Sequence, residues 1–135
     1  MQRIGLVGYG VGGRLFHAPF IAAAQGVELA GVVARSESKR AQVAADYPGL
    51  PVFSTLGQML DAGVDAVTIT TPPQTRQDLV LEAIAAGVHV VADKPFAPNA
   101  AAAQDLADAA QHAGVLLNVY QNRRRDADIL TLASV

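Results

Sequence analysis

At 135 residues the chain suits a single domain and is long enough to bury a core. Hydrophobic residues make up 51% of it and charged residues 16%, which argues for a well-buried globular fold and against disorder. A net charge of −2 supplies no basic field for nucleic acid and no polybasic patch for a membrane, and the lack of cysteine excludes disulfides, thiolate catalysis and zinc–thiolate sites.

No apolar run approaches the roughly 20 residues that span a bilayer. With a first strand expected from about Arg3, no room is left for a signal peptide, and a cytoplasmic protein is the expectation. Apolar runs of strand length fall at Ile4–Val7, Leu29–Val33, Val52–Phe53, Ala66–Ile69, Val88–Val91 and Val115–Val119. Most are continuous rather than alternating, as in strands covered on both faces. Alanine-rich stretches of helical spacing lie between them. This β-α-β rhythm predicts an α/β fold, a doubly wound, mostly parallel sheet of about six strands with helices on both faces.

The first helix is expected from Val11 or Gly12 to about Ala24, with a break near His17–Ala18 because Pro19 lacks an N–H. Ser36 can cap a helix over 37–46, stopped by Pro48 and Gly49. A short helix over 55–60 follows, then one over 74–86 with Leu79, Val80, Ala83 and Ile84 on one face and Gly87 as its left-handed cap. Asn99 caps another that ends at Gly114. The final segment, with apolar Ile129, Leu130, Leu132 and Val135, reads as the opening of a helix cut short. Its apolar face is a candidate for homo-oligomer formation.

Chemistry concentrates first at Gly8-Tyr9-Gly10-Val11-Gly12-Gly13, a Gly-x-Gly-x-x-Gly turn between the first strand and first helix. Gly8 allows the tight turn, Gly10 lets the backbone approach a pyrophosphate, and Gly13 lets the helix pack on the strand. The helix start would then face the phosphates of a nicotinamide dinucleotide. In a glycine-rich chain, chance placement competes with this reading. At the tip of the second strand stand Ala34, Arg35 and Ser36, with no acid to take a ribose 2′-hydroxyl. Arg35 offers a fork of donors and Ser36 a hydroxyl to a 2′-phosphate, with Lys39 and Arg40 adding positive potential, so NADP is favoured over NAD. A solvated helix start is the plain alternative.

Four stretches together carry a family resemblance: the glycine turn, Phe16-His17-Ala18-Pro19-Phe20, Thr70-Thr71-Pro72-Pro73, and the run from Ala86 to Asp93-Lys94-Pro95. They resemble the glucose–fructose oxidoreductase / inositol dehydrogenase / MocA (Gfo/Idh/MocA) family, and the segment from Asn118 to Arg124 is similar to the sixth-strand exit of one branch. The resemblance covers the whole chain. It implies an NAD(P)-binding Rossmann domain over 1–121, with 122–135 beginning the connection to a substrate domain. It further implies that Lys94 is the active-site lysine, beside the nicotinamide ribose and the reacting hydroxyl of a sugar, polyol or similar substrate. A lysine at the carboxyl end of a parallel strand lies where ligands bind in such sheets, and could stabilise charge on an oxygen becoming a carbonyl. An ordinary surface lysine is the alternative.

Asp93 replaces the usual glutamate of this triplet, and Pro95 fixes the loop, with a cis Lys94–Pro95 bond allowed. By the resemblance, Thr70, Thr71 and Pro72 lie against the nicotinamide side of the cofactor. Arg76 stands near where the family often has histidine, a change expected to affect only local cofactor contacts. Asn122 and Arg123 would face the substrate cleft. His17, His89 and His112 are read as structural, and no metal site is expected.

The family's proton-transfer histidine, its acidic neighbour and the substrate pocket come from the second domain. The 135-residue chain is therefore expected to bind nucleotide without efficient turnover. Two other readings stay open: a non-enzymatic NAD(P)-sensing module, and a methyltransferase, which would want an acid where Arg35 stands.

Overall fold

The computed structural model describes residues 1–134. Six parallel strands form its sheet: β1 (Gln2–Val7), β2 (Val27–Val33), β3 (Val52–Phe53), β4 (Ala66–Ile69), β5 (His89–Ala92) and β6 (Leu117–Val119). Their order is β3-β2-β1-β4-β5-β6. The chain winds outward from β1 in one direction, then crosses back and winds in the other, so the switch point lies between β1 and β4. Neighbouring residues of a strand enter opposite layers of core. Val7 and Val33 join the cluster with Met59, Val80 and Leu106, whereas Leu6 and Val32 join Ala18 and Val43. Burial on both faces is why the strand sequences run continuously apolar.

The first layer is covered by α3 (Leu56–Asp61), α4 (Pro73–Ala85) and α5 (Ala100–Ala113), the second by α1 (Ala18–Ala23) and α2 (Glu37–Asp46). Three of these begin on a side-chain cap: Ser36 accepts from the Lys39 N–H, Thr55 from Gln58 and Asn99 from Ala102. Each such cap stabilises its helix by about 1 kcal/mol. The first helical segment is broken where Pro19 requires it. A π-helical stretch, Gly12–His17, gives way to α1 at His17, whose φ and ψ are −120° and −55°. Pro19 then sits in the first turn of α1, where a missing N–H costs no bond.

Strand ends depart from the apolar runs for two reasons. Val88 and Val115 are apolar but donate back to Ala83 and Ala110, closing the C-termini of α4 and α5 past left-handed Gly87 and Gly114. Their N–H groups are thereby lost to the ladder, and β5 and β6 begin later. Conversely β1 and β2 extend into polar residues at their open end, where Arg3 and Glu28 pair at 3.0 Å across the strands. After β6 come a 3₁₀ turn, Asn122–Arg125, and α6 (Ala127–Ala133), whose Ile129, Leu130 and Leu132 are exposed. Val135 lies outside the described residues. No described helix is long and apolar enough to cross a membrane.

Candidate active site at the carboxyl edge of the sheet

The carboxyl ends of β1, β2, β4, β5 and β6 open on one edge, and the glycine turn occupies its centre. Gly8 leaves β1 with φ of +98°, a conformation that side chains rarely adopt, while its N–H stays bonded to the Val33 carbonyl at 3.1 Å. A Cβ on Gly13 would run into the Gly8 carbonyl oxygen, so the helix can approach the strand only with glycine there. The Thr70 hydroxyl closes the turn from β4, within 3.1 Å of both the Val7 and Gly8 carbonyls. Above Gly10 no heavy atom of the described residues, its chain neighbours aside, lies within 4 Å of where a Cβ would stand, which is the open space a close-lying pyrophosphate needs. Gly12 starts the π-helical stretch, and Val11, its N-cap residue, is exposed.

Tyr9 does something the motif alone does not reveal. Its ring is buried, and its hydroxyl donates to Asp46 Oδ2 at 2.8 Å, at the end of α2. Arg14 grips both oxygens of the same carboxylate, at 2.6 and 3.0 Å. Burial, then the Asp46 carboxylate, push the Tyr9 phenol well above its usual range. Hydrogen bonds from Arg14 and then Tyr9 hold Asp46 below the usual carboxylate value. The glycine turn is thus fastened to one end of α2, and the opposite end of α2 carries Ser36 and Lys39.

Arg35, Ser36 and Lys39 line a cleft of about 570 Å³ together with Gly8, Gly10 and Ala34 on one side and Thr71 and Pro72 on the other. Glu28 is at the far end of β2 with Arg3, the strand tip carries Ala34, Arg35 and Ser36, and Asp78 of α4 also lines the cleft. Arg40 turns away to the Ser54 hydroxyl at 2.6 Å and does not line the cleft. The residues present fit a nicotinamide dinucleotide: a turn with open backbone, and donors where an adenosine ribose would lie.

From Gly10 the cleft continues as a hollow shared by Thr70, Thr71, Pro72, Asp93 and Lys94. It then passes into a pocket of about 290 Å³ that includes Gly12, His17, Lys94, Tyr120, Asn122 and Arg123. The structure therefore brings Lys94, Asn122 and Arg123 onto one trough with the glycine turn. The Lys94–Pro95 bond is cis, and the Lys94 N–H donates to Asp93 Oδ1 at 3.0 Å. Arg123 is held by Asp126 and Asp128, at 3.0 and 3.2 Å.

Two residues matter more here than their sequence context suggested. Arg76, only 3% exposed, donates to the Pro95 carbonyl and to the Thr71 carbonyl, so it braces the loops after β4 and β5 against each other. Its reach therefore extends beyond cofactor contacts. Burial lowers its pKa, and the Asp93 carboxylate opposes that. His17, read as structural, projects from the helix break into the pocket that holds Lys94. Its ring lies 4.3 Å from that of Tyr120, and its buried Nε2 has no hydrogen-bond partner among the described residues and stands 3.7 Å from Asp93 Oδ2. Desolvation pulls the imidazole pKa below its ordinary value, with Asp93 acting the other way. The sequence signal was the helix break, which turns this histidine toward the sheet edge.

Comparison with known proteins places this arrangement. Residues 2–121 match the family model for Gfo/Idh/MocA oxidoreductases, described as an oxidoreductase family with an NAD-binding Rossmann fold. The uncharacterised oxidoreductase YdgJ of Escherichia coli (strain K12) is 42% identical over 131 residues, covering 96% of this chain and 37% of that protein. The scyllo-inositol 2-dehydrogenase (NADP(+)) IolW of Bacillus subtilis (strain 168) is 34% identical over 131 residues, 96% of this chain and 36% of its own length. Among solved structures, the WlbA dehydrogenase of Bordetella pertussis, in complex with NADH and UDP-GlcNAcA, superposes with a TM-score of 0.88 at 32% identity, covering 98% of this chain and 38% of that one. The chain thus spans less than two-fifths of the length of these relatives. It belongs to the Gfo/Idh/MocA oxidoreductase family, as the NAD-binding Rossmann fold of its members.

Proposed function

We propose that this chain is the nucleotide-binding half of a cytoplasmic enzyme that moves hydride between a nicotinamide cofactor, NADP in preference to NAD, and the hydroxyl or carbonyl of a sugar, polyol or related substrate. One observation carries the reading: the glycine turn, the Arg35–Ser36–Lys39 cleft and Lys94 lie along a single trough at the carboxyl edge. The bound cofactor would supply the hydride acceptor or donor. Gly8, Gly10, Val11, Gly12 and Gly13 would cradle its pyrophosphate, Tyr9 holding their turn to α2. Arg35 and Ser36, following Ala34, would take a 2′-phosphate, and Thr70, Thr71 and Pro72 would face the nicotinamide side with Asp93 and Pro95.

Lys94 would hold the reacting oxygen by hydrogen bond and charge as it changes between hydroxyl and carbonyl. The naming of IolW as an NADP-linked inositol dehydrogenase supports both the cofactor and the substrate class. Asn122 and Arg123 would border the substrate, with the rest of its pocket and the proton-transferring histidine coming from a second domain such as the relatives' length allows. The 135-residue chain would then bind nucleotide and turn over poorly. Self-association would use the exposed Leu130 and Leu132.

The test joins this chain to the substrate half of a relative. Lys94→Ala should lower kcat by roughly 10²- to 10⁴-fold while leaving NADPH affinity within about threefold. Unchanged turnover would remove Lys94 from the chemistry. Brisk dehydrogenase activity from the unfused chain would overturn the division of labour.

A further inference from the structure

We propose that His17 is a positioning residue for the Lys94 turn, acting through Asp93. The inference rests on the reading of Lys94 as the reacting lysine, and it uses contacts that reading did not need. Asp93 Oδ1 accepts the Lys94 N–H at 3.0 Å, so this carboxylate sets the backbone from which Lys94 projects. Its other oxygen, Oδ2, faces the buried Nε2 of His17 at 3.7 Å. That nitrogen is out of contact with solvent and has no other hydrogen-bond partner among the described residues. A buried ring nitrogen is costly to leave unpaired, and the Asp93 carboxylate is the acceptor that faces it. Hydrogen bonds at catalytic centres are often long without substrate and shorten once the complex forms.

The helix break is a second, independent observation. A π-helical stretch inside a helix re-aims side chains and occurs often at functional sites. Here it ends at His17 itself, and Pro19 follows to start a regular helix. A continuous α-helix would carry residue 17 elsewhere around the axis. The ring is wedged between the exits of β5 and β6, with Asp93 on one side and Tyr120 on the other. Tyr120 is itself tied to β5 by its N–H to the Ala92 carbonyl at 2.8 Å. Groups from two strand exits thus flank the imidazole, Asp93 after β5 and Tyr120 after β6.

Charged and titratable groups face this chain from each neighbouring element. Asp93 and Lys94 come from the β5 exit, Tyr120 and Arg123 from the β6 exit, and Arg76 acts on Asp93 from α4. A neutral His17 leaves the Asp93 carboxylate to the Lys94 amide and Arg76. Protonation of Nε2 would draw Oδ2 toward the imidazole and turn the carboxylate against the Lys94 N–H. The protonation state of His17 is then transmitted to the Lys94 backbone, and with it to the angle at which the lysine enters the trough.

Nitrogen-15 NMR of the 135-residue chain tests this, following the His17 ring nitrogens and the Lys94 amide from about pH 4.5 to 8. The Lys94 amide should move with the midpoint of the His17 imidazole. Asp93→Asn should abolish that movement although His17 still titrates, and Asp93→Glu should restore it. A Lys94 amide that stays flat as His17 titrates, or follows carboxylate ionisation alone, overturns the proposal. So does a response that persists in Asp93→Asn. Should either variant misfold, the wild-type titration still decides. None of these readouts depends on turnover, so they stand apart from the Lys94→Ala kinetics that test the proposed function.

Discussion

At the residue scale, glycine is required at position 13 by a carbonyl and at position 8 by a backbone angle. A Cβ at position 13 meets the Gly8 oxygen, a backbone atom that cannot move without opening the turn. Gly13→Ala should therefore destabilise the chain by about 3 kcal/mol, at the upper end for overpacking, in chemical denaturation, and should weaken nucleotide binding beyond what the stability loss explains. His17 gives a pH signature. Its folded pKa lies below the ordinary value of 6.5, so the unfolded chain takes the proton more readily. The stability linked to this group is complete above about pH 6.5 and falls as pH drops from there toward the folded value. Denaturation midpoints measured across that window should decline toward acid, and His17→Gln should flatten that portion of the curve. The glycines were legible because each is needed by local backbone geometry. Apart from the helix break at His17, the surroundings of His17 and Arg76 were not, because both are buried against loops distant in sequence.

At the element scale, capping chemistry was the most readable feature. Ser36 and Asn99 sit where a short acceptor precedes a helical run, and both accept the N–H three residues on. Asn99→Ala should cost about 1 kcal/mol by the same denaturation measurement, leaving nucleotide affinity unaltered because α5 lies away from the trough. Strand ends were less readable. Val88 and Val115 look like strand on hydropathy, and only the competition for their N–H groups by helix C-termini excludes them. Pro19 announced a break, although the π-helical form of the residues before it was not implied by any single residue. The link between Tyr9, Arg14 and Asp46 also escaped the sequence, since it joins the turn to a helix end 37 residues from Tyr9.

At the scale of the whole molecule, strand order and function are connected. Winding outward from β1 in both directions leaves a crevice at the switch point, and the trough runs through it from Arg35 to Asn122. The alternation of apolar runs with helical stretches made this topology legible without a structure. The proposed choice of cofactor rests on fewer residues, Arg35, Ser36 and Lys39, and so is the most exposed to direct test. A charge-assisted contact to a 2′-phosphate contributes about 1.5–3 kcal/mol, which corresponds to roughly tenfold or more in affinity. The decisive measurement is a calorimetric titration of the chain with NADPH and NADH, repeated on Arg35→Ala. With an NADP-preferring site, both nucleotides bind, NADPH about tenfold tighter, and Arg35→Ala erases the difference. Failure of either nucleotide to bind, or equal affinities unchanged by Arg35→Ala, would contradict that reading.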